Sequence, residues 1–439
     1  MQELTALLDE ILRETQFDAG HYGTHTASQI RSFHIRSDQT GRYVVSAARV
    51  IVPEALLAVL VERLDRELQA YIEPESQRIG TGLVGLMGGA LDSAEPEVTD
   101  FARTLVRAAA ILGSERAVQI LLGWMTGEPY HYRMMVLLTG VRCEQPLALE
   151  EGVRITQLPT VGSDLAPYLP YSLVSPGINV LEFLGRAVLS IDGTAGPALY
   201  RPTRAHGDQP DRNLRQVWAG GRIPCLTTDR WRERFSEALS LACDHCVRWT
   251  HIWRDVGDLR AFSSFGHGHE SRDVSSRGDT VCLQQEHLET ARDLDVQRYA
   301  RVQHGKSLDM AINRWTSSKR PDAALPDRFI DLRIAFEALY LPRVRTELRF
   351  RLAFLGAWHL GADFEERRRY YDLLRKAYDC GSAAVHAGDV ENTPDNRETL
   401  AASQRACRKA ILKRLAETEE PTWDEVDVAL GAPTHEAPS

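Results

Sequence analysis

The hydrophobic pattern divides the chain into a front part of mixed period and a rear part of helical period only. Leu4 to Leu12 has helical spacing and predicts a short first helix. Tyr22 to Arg42 is polar and rich in His, Ser and Thr, and reads as loop with one short extended piece. Tyr43-Val44-Val45 and Val50-Ile51-Val52 read as strand. Pro53 then opens an amphipathic helix through Leu56, Leu57, Leu60, Leu64 and Leu68. Gly80 to Asp92 is glycine-rich and flexible in character, and a second helix is expected from Val98 to Leu122. Short apolar runs follow at Met135-Val136-Leu137-Leu138, Val153-Arg154-Ile155-Thr156 and Ala187-Val188-Leu189-Ser190-Ile191, punctuated by Pro and Gly as strands are. Trp231 to Trp253 reads as helix, Ser263 to Asp279 as a mobile loop, and everything from Leu288 to about Glu417 as helix.

This order predicts an α+β fold class, in which a region mixing helices and strands is followed by an all-α bundle. The expected boundaries are an N-terminal helix and loop over 1–40, an α+β domain over 41–287, a helical domain over 288–418 and a flexible acidic tail over 419–439. In the helical domain, Phe329, Leu332, Phe336, Leu339 and Tyr340 form one apolar stripe. Leu348, Leu352, Leu355 and Trp358 form a second, and Tyr370, Leu374, Ala377, Gly381 and Ala384 a third. Antiparallel helices joined by short loops bury such stripes against each other.

Composition narrows the function only modestly. With 52 Lys+Arg against 61 Asp+Glu, the net charge implies no general affinity for nucleic acid. Arg301 to Arg414, however, holds 22 basic residues against 15 acidic ones. A basic domain on an acidic body can bind a polyanion, and a solvated helical surface gives the same count. Seven scattered cysteines suit a reducing compartment. Met1-Gln2-Glu3-Leu4-Thr5 lacks the basic and apolar regions of a signal peptide, and no apolar run approaches a bilayer span, so a cytoplasmic protein without membrane partners is expected.

Several motifs carry less than they promise. Cys243-Asp244-His245-Cys246, with His251 nearby, has no second CxxC to complete a zinc site, and structural thiols are the simpler reading. His267-Gly268-His269-Glu270 lies in the most loop-like segment, so no metal site is expected. Gly80-Thr81-Gly82-Leu83-Val84-Gly85 matches GxGxxG but follows Glu73-Pro74-Glu75 rather than a buried strand. Gly305-Lys306-Ser307 lacks the upstream glycine of a P-loop, Ala300 standing there instead. Neither supports a nucleotide cofactor, and none is expected.

The helical domain offers more. Arg368, Asp372, Arg375, Asp379, Ser382 and His386 follow at four- and three-residue steps and share one polar face. That face reads either as chemistry or as solvated alternating charge. Arg367-Arg368-Arg369-Tyr370-Tyr371 combines cations and aromatics as single-stranded RNA binders do, although Tyr370 belongs to an apolar stripe. Gly381, in mid-helix, costs roughly 1 kcal/mol relative to Ala, which points to close contact with another helix.

Three blocks in order resemble the HEPN superfamily, in particular its ApeA-like branch: Phe336-Glu337-Ala338-Leu339, Glu347-Leu348-Arg349-Phe350-Arg351-Leu352, and Tyr378 to Gly388. The resemblance covers about the last 130 residues. HEPN nucleases cleave RNA without metal, a His assisting attack of the 2′-hydroxyl while an Arg four to six residues ahead stabilises the phosphorane. Here His386 matches the His, but Gly381 stands where the Arg belongs. The resemblance therefore implies a weakened or dead nuclease centre on a homodimer formed through the HEPN helices, with RNA as the partner to expect and antiviral defence or toxin-like action as the setting.

Two alternatives stay open. One is an active metal-independent endoribonuclease, with His386 as acid/base, Asp379 and Ser382 beside it and charge stabilisation from Arg375 of the partner copy or from another Arg. Within one protomer Arg375 lies 11 residues from His386, about 16 Å along the helix axis. The other is a purely structural helical module of a sensing protein. On the RNA-binding reading, Arg367, Arg368, Arg369 and Tyr371 make the contact.

Overall fold

A computed structural model describes residues 2–36, 44–45, 48–70, 72, 80–81, 97–128, 130–159, 185–195, 199–200, 231–255, 257–262, 270–271, 280–300, 306–341 and 346–417. The fold is α+β, and the chain forms two compact units. One comprises Met1–Arg222 with Trp249–Val274, the other Ile223–Arg248 with Ser275–Ser439.

In the α+β unit, α1 (Gln2–Glu14), α2 (Ala27–Arg36), α3 (Glu54–Leu68), α4 (Val98–Leu112) and α5 (Ser114–Thr126) pack around Leu8, Phe17, Ile30, Leu60, Leu64, Leu105 and Trp124. Strands β1 (Gln16–Asp18), β2 (Thr24–Thr26) and β3 (Arg49–Ile51) form a small antiparallel sheet with β1 in the centre. The main sheet is built from β4 (Tyr130–Thr139), β5 (Leu147–Glu150), β6 (Val153–Gln157), β7 (Ala187–Ala195), β8 (Arg248–Asp255) and β9 (Glu270–Ser271). Its order is β9-β8-β4-β7-β6-β5, and β4 pairs β7 antiparallel with Met134 opposite Ile191 and Val136 opposite Leu189. Met134 through Leu138 are all buried, so β4 is covered on both faces and reads as a continuous apolar run rather than an alternating one.

Four expectations need correction here. Ala27–Arg36 is helix, not loop. Its start is a capping box in which the Thr26 amide donates to Gln29 Oε1 at 2.8 Å and the Gln29 amide donates to Thr26 Oγ1 at 3.4 Å. Val44 and Val45 are helical rather than extended. The helix expected over 98–122 is two helices, broken at Gly113, whose φ of +95° no ordinary residue adopts cheaply. The helix expected over 231–253 ends at Cys243, and Arg248–Asp255 is strand. Residues 82–92, most of 263–279 and the tail from 418 lie outside the described residues.

The helical unit contains α6 (Trp231–Cys243), α7 (Gln285–Ala300), α8 (Lys306–Ser318), α9 (Leu325–Tyr340), α10 (Leu348–Leu360), α11 (Phe364–Ala387) and α12 (Pro394–Ala416). It thus takes in α6, which the sequence-based boundary at 288 assigns to the first domain. Trp315, Phe329, Phe336, Tyr340, Leu374 and Ile411 fill its centre. Trp315 Nε1 donates to the Gln404 carbonyl at 2.9 Å, and Gln404 Nε2 donates to that of Ser318 at 2.7 Å, so these two side chains find partners within the core. Arg298 and Glu237, both nearly inaccessible, pair at 2.7 Å and fasten α7 to α6.

A buried histidine fixes the far end of the unit. Tyr340 and His359 Nδ1 lie 3.0 Å apart, and His359 Nε2 is 3.1 Å from Glu417 Oε1. A carboxylate needs a donor, so Nε2 carries the proton and Nδ1 accepts from the tyrosine hydroxyl. Burial holds the His359 pKa below its usual 6.5, against the opposing pull of Glu417. The unfolded chain therefore takes up a proton below about pH 6.5 that the folded protein resists, and stability falls as pH drops. We expect thermal midpoints to decline from about pH 7.5 to about pH 5.5, and His359→Gln to flatten that decline. Equal slopes for the two proteins would remove His359 as the cause.

Candidate functional site on the helical unit

Helix α11 carries the residues singled out by the sequence. It begins at Asp363, whose side chain accepts from the Glu366 amide at 2.8 Å, and ends at Gly388, whose φ is +72°. His386 thus stands in the last turn of a 24-residue helix, exposed to solvent. Among the described residues no hydrogen bond or ion pair reaches its ring.

On the expected face, Asp379 and Arg375 are engaged with other residues. Asp379 receives two hydrogen bonds from Arg349 of α10, at 2.6 and 2.5 Å, in the forked geometry that guanidinium and carboxylate favour. Both groups are about half exposed, so the pair contributes little to stability. The Arg375 guanidinium lies 5.5 Å from the ring centre of Tyr371, one turn back on its own helix. Ser382 is half-buried.

Gly381 faces inward, toward α9. A Cβ built on it would stand 2.9 Å from Arg333 Cβ and 3.1 Å from the Phe329 carbonyl oxygen. These atoms belong to the backbone and the stem of α9, which cannot swing aside. The position matching the family Arg is therefore filled by a neighbouring helix.

Arg333 itself links two of the three resemblance blocks. Its Nε donates to Glu337 at 2.8 Å, its Nη2 donates to the Tyr378 hydroxyl at 3.1 Å, and its guanidinium lies 4.5 Å from that ring's centre. Tyr378 is two turns of helix before His386, roughly 12 Å along the axis, so Arg333 is anchored away from the histidine.

The arginine run divides. Arg367 is half-buried, donates to the Gly361 carbonyl at 3.2 Å and lies 5.4 Å from the Trp358 ring, which makes it a structural residue. Arg368 and Arg369 are exposed. Tyr371 packs partly against the core, and the Tyr370 hydroxyl accepts from Lys409 at 3.2 Å. On α10, Phe350 is 52% exposed and stacks on Phe354 with centroids 5.7 Å apart.

The thiols of Cys243 and Cys246 are pushed up to about 11 by burial, so both are protonated near neutrality, and Cys243 donates to the Leu239 carbonyl. Among the described residues no three His, Cys, Asp or Glu side chains are grouped to hold a metal ion, and no helix is long and apolar enough to cross a membrane. His267 and His269 lie outside the described residues.

Sequence reasoning gave Arg333 and Arg349 no role. Both lie in or beside resemblance blocks, but only the antiparallel packing of α9 and α10 on α11 brings them to it. No protein-family model, curated protein or solved structure matches this chain, so the HEPN resemblance rests on the residues quoted for it.

Proposed function

We propose that the helical unit is a HEPN-like module that acts by binding and self-association rather than by cleaving RNA. The packing of Gly381 against α9 carries this reading, because it leaves no place for the charge-stabilising Arg beside His386. The exposed Phe350, stacked on Phe354, and the cations Arg368, Arg369 and Arg375 supply aromatic and basic groups of the kind that a second copy or a single-stranded RNA engages. The defence or toxin-like setting follows from the resemblance alone.

Anisotropy of a labelled single-stranded RNA, titrated across salt concentrations, tests the RNA arm. Binding should weaken with salt, and Arg368→Glu/Arg369→Glu should reduce the magnitude of the log–log slope by about 1.4, roughly 0.7 for each phosphate no longer neutralised. Light scattering of the wild type beside Phe350→Asp tests association, with the substituted chain expected as monomer. RNA cleavage in EDTA that disappears in His386→Ala would overturn the proposal and restore the endoribonuclease.

A further inference from the structure

We propose that the α+β unit holds a binding cleft for a small organic cation with an apolar body, at the C-terminal end of α5. The cleft measures about 610 Å³, within the usual size of a ligand site. Ile120, Trp124 and Leu259 give it an apolar wall, while Arg116, Asp258 and Glu128 supply its charges and His131 adds an imidazole. Arg116 Nε donates to Asp258 Oδ2 at 2.9 Å, so these two charges neutralise each other. Glu128 is left over, and among the described residues no cation pairs with it.

Its placement is specific. Helix α5 closes at Gly127 in the left-handed region, the Glu128 amide donating to the Gly123 carbonyl at 2.8 Å. The side chain then folds back over the last turn, Oε2 lying 3.0 Å from where a Cβ on Gly123 would stand. A helix C-terminus already carries partial negative charge, so a carboxylate there is in the wrong place for stability. Departures from local rules of this kind concentrate where a site is being served. The uncompensated carboxylate, the helix end and the nearby indole all favour a cation. A planar amidinium or guanidinium fits best, since it can grip the carboxylate with two hydrogen bonds and lay its flat face on the apolar wall. Such a group can belong to a free metabolite-sized molecule or to an arginine side chain. The inference is independent of the HEPN reading.

Calorimetric titration of the full chain tests it, with benzamidine, its neutral isostere benzamide, phenyl phosphate, and acetyl-arginine amide as probes. Benzamidine should bind with Kd of about 0.1–1 mM, and benzamide about tenfold or more weaker. Glu128→Gln, at an exposed position, should lose about tenfold in benzamidine affinity. Gly123→Ala keeps the charge but displaces the carboxylate, and should weaken binding as well. Acetyl-arginine amide binding more tightly than benzamidine would support a peptide arginine as the occupant, and the reverse a free small molecule. Equal binding of benzamidine and benzamide, stronger binding of phenyl phosphate, an unaffected Glu128→Gln, or no binding by any probe up to about 10 mM would each overturn the proposal.

Discussion

Gly381→Arg, which would restore the letter of the HEPN motif, should unfold the helical unit rather than create a nuclease. The first added atom already meets Arg333 Cβ at 2.9 Å and the Phe329 carbonyl oxygen at 3.1 Å, so α9 and α11 must move apart to admit it. Overpacking of this kind costs about 1–3 kcal/mol for a few atoms. The rest of the side chain then carries a guanidinium into a buried contact beside Arg333, where a second positive charge has no partner. We expect a loss of about 4 kcal/mol or more, in the range that marks core disruption. Gly381→Ala separates the contributions, since roughly 1 kcal/mol of helix propensity offsets part of the steric cost. Urea unfolding followed by hydrogen exchange of α9 and α11 measures both. A stable Gly381→Arg protein that cleaves RNA would refute both the packing argument and the proposed function.

Arg298→Met should destabilise the same unit by about 3–5 kcal/mol, because it strands Glu237 as a buried charge. Arg298 Nη1 donates to Glu237 at 2.7 Å and its Nε donates to Asp309 at 2.6 Å. Without it, Glu237 keeps the Asn313 side-chain amide, at 3.0 Å, as its partner among the described residues. Burial pulls the Arg298 pKa down, but the two carboxylates outweigh it and hold the group charged. The double variant Arg298→Met/Glu237→Gln should recover most of the loss, since the introduced amide carries no charge and retains Asn313. A coupling of about 2 kcal/mol or more in the double-mutant cycle is the expected reading. Additive losses would show that the two residues act separately.

Helix α11 was legible because it buries one stripe, Leu374, Ala377, Gly381 and Ala384, over 24 residues, whereas α10 is buried nearly all round from Leu352 to Leu360 and leaves Trp358, expected in its stripe, 38% exposed. The passage from α6 to β8 was not legible, because no Gly or Pro interrupts Cys243-Asp244-His245-Cys246. Asp244 makes the turn itself at φ +51°, in the left-handed region that Asp tolerates better than most residues. The aromatic and β-branched content of Val247-Arg248-Trp249-Thr250 was the signal for strand. Likewise Thr26 and Gln29 announced α2 through their capping spacing, before a segment too polar to show a stripe. In the site, the shared face of Asp379, Ser382 and His386 follows from helix geometry alone. The partners that engage it, Arg349 and Arg333, come from helices whose register against α11 no local pattern encodes.

The placement of α6 bears on how the chain must be made. Arg408, in α12, donates to the Leu241 carbonyl at 2.7 Å across 167 residues of sequence, and Glu237 waits for Arg298. A ribosome adding about 5–20 residues per second leaves Leu241 without that partner for roughly 10–30 s. During that interval residues of the other unit, Trp249–Val274, emerge and can be incorporated first. The helical unit can close only once α12 has emerged, so a chain that stalls before α12 presents α6 with its inner face uncovered to chaperones and proteases.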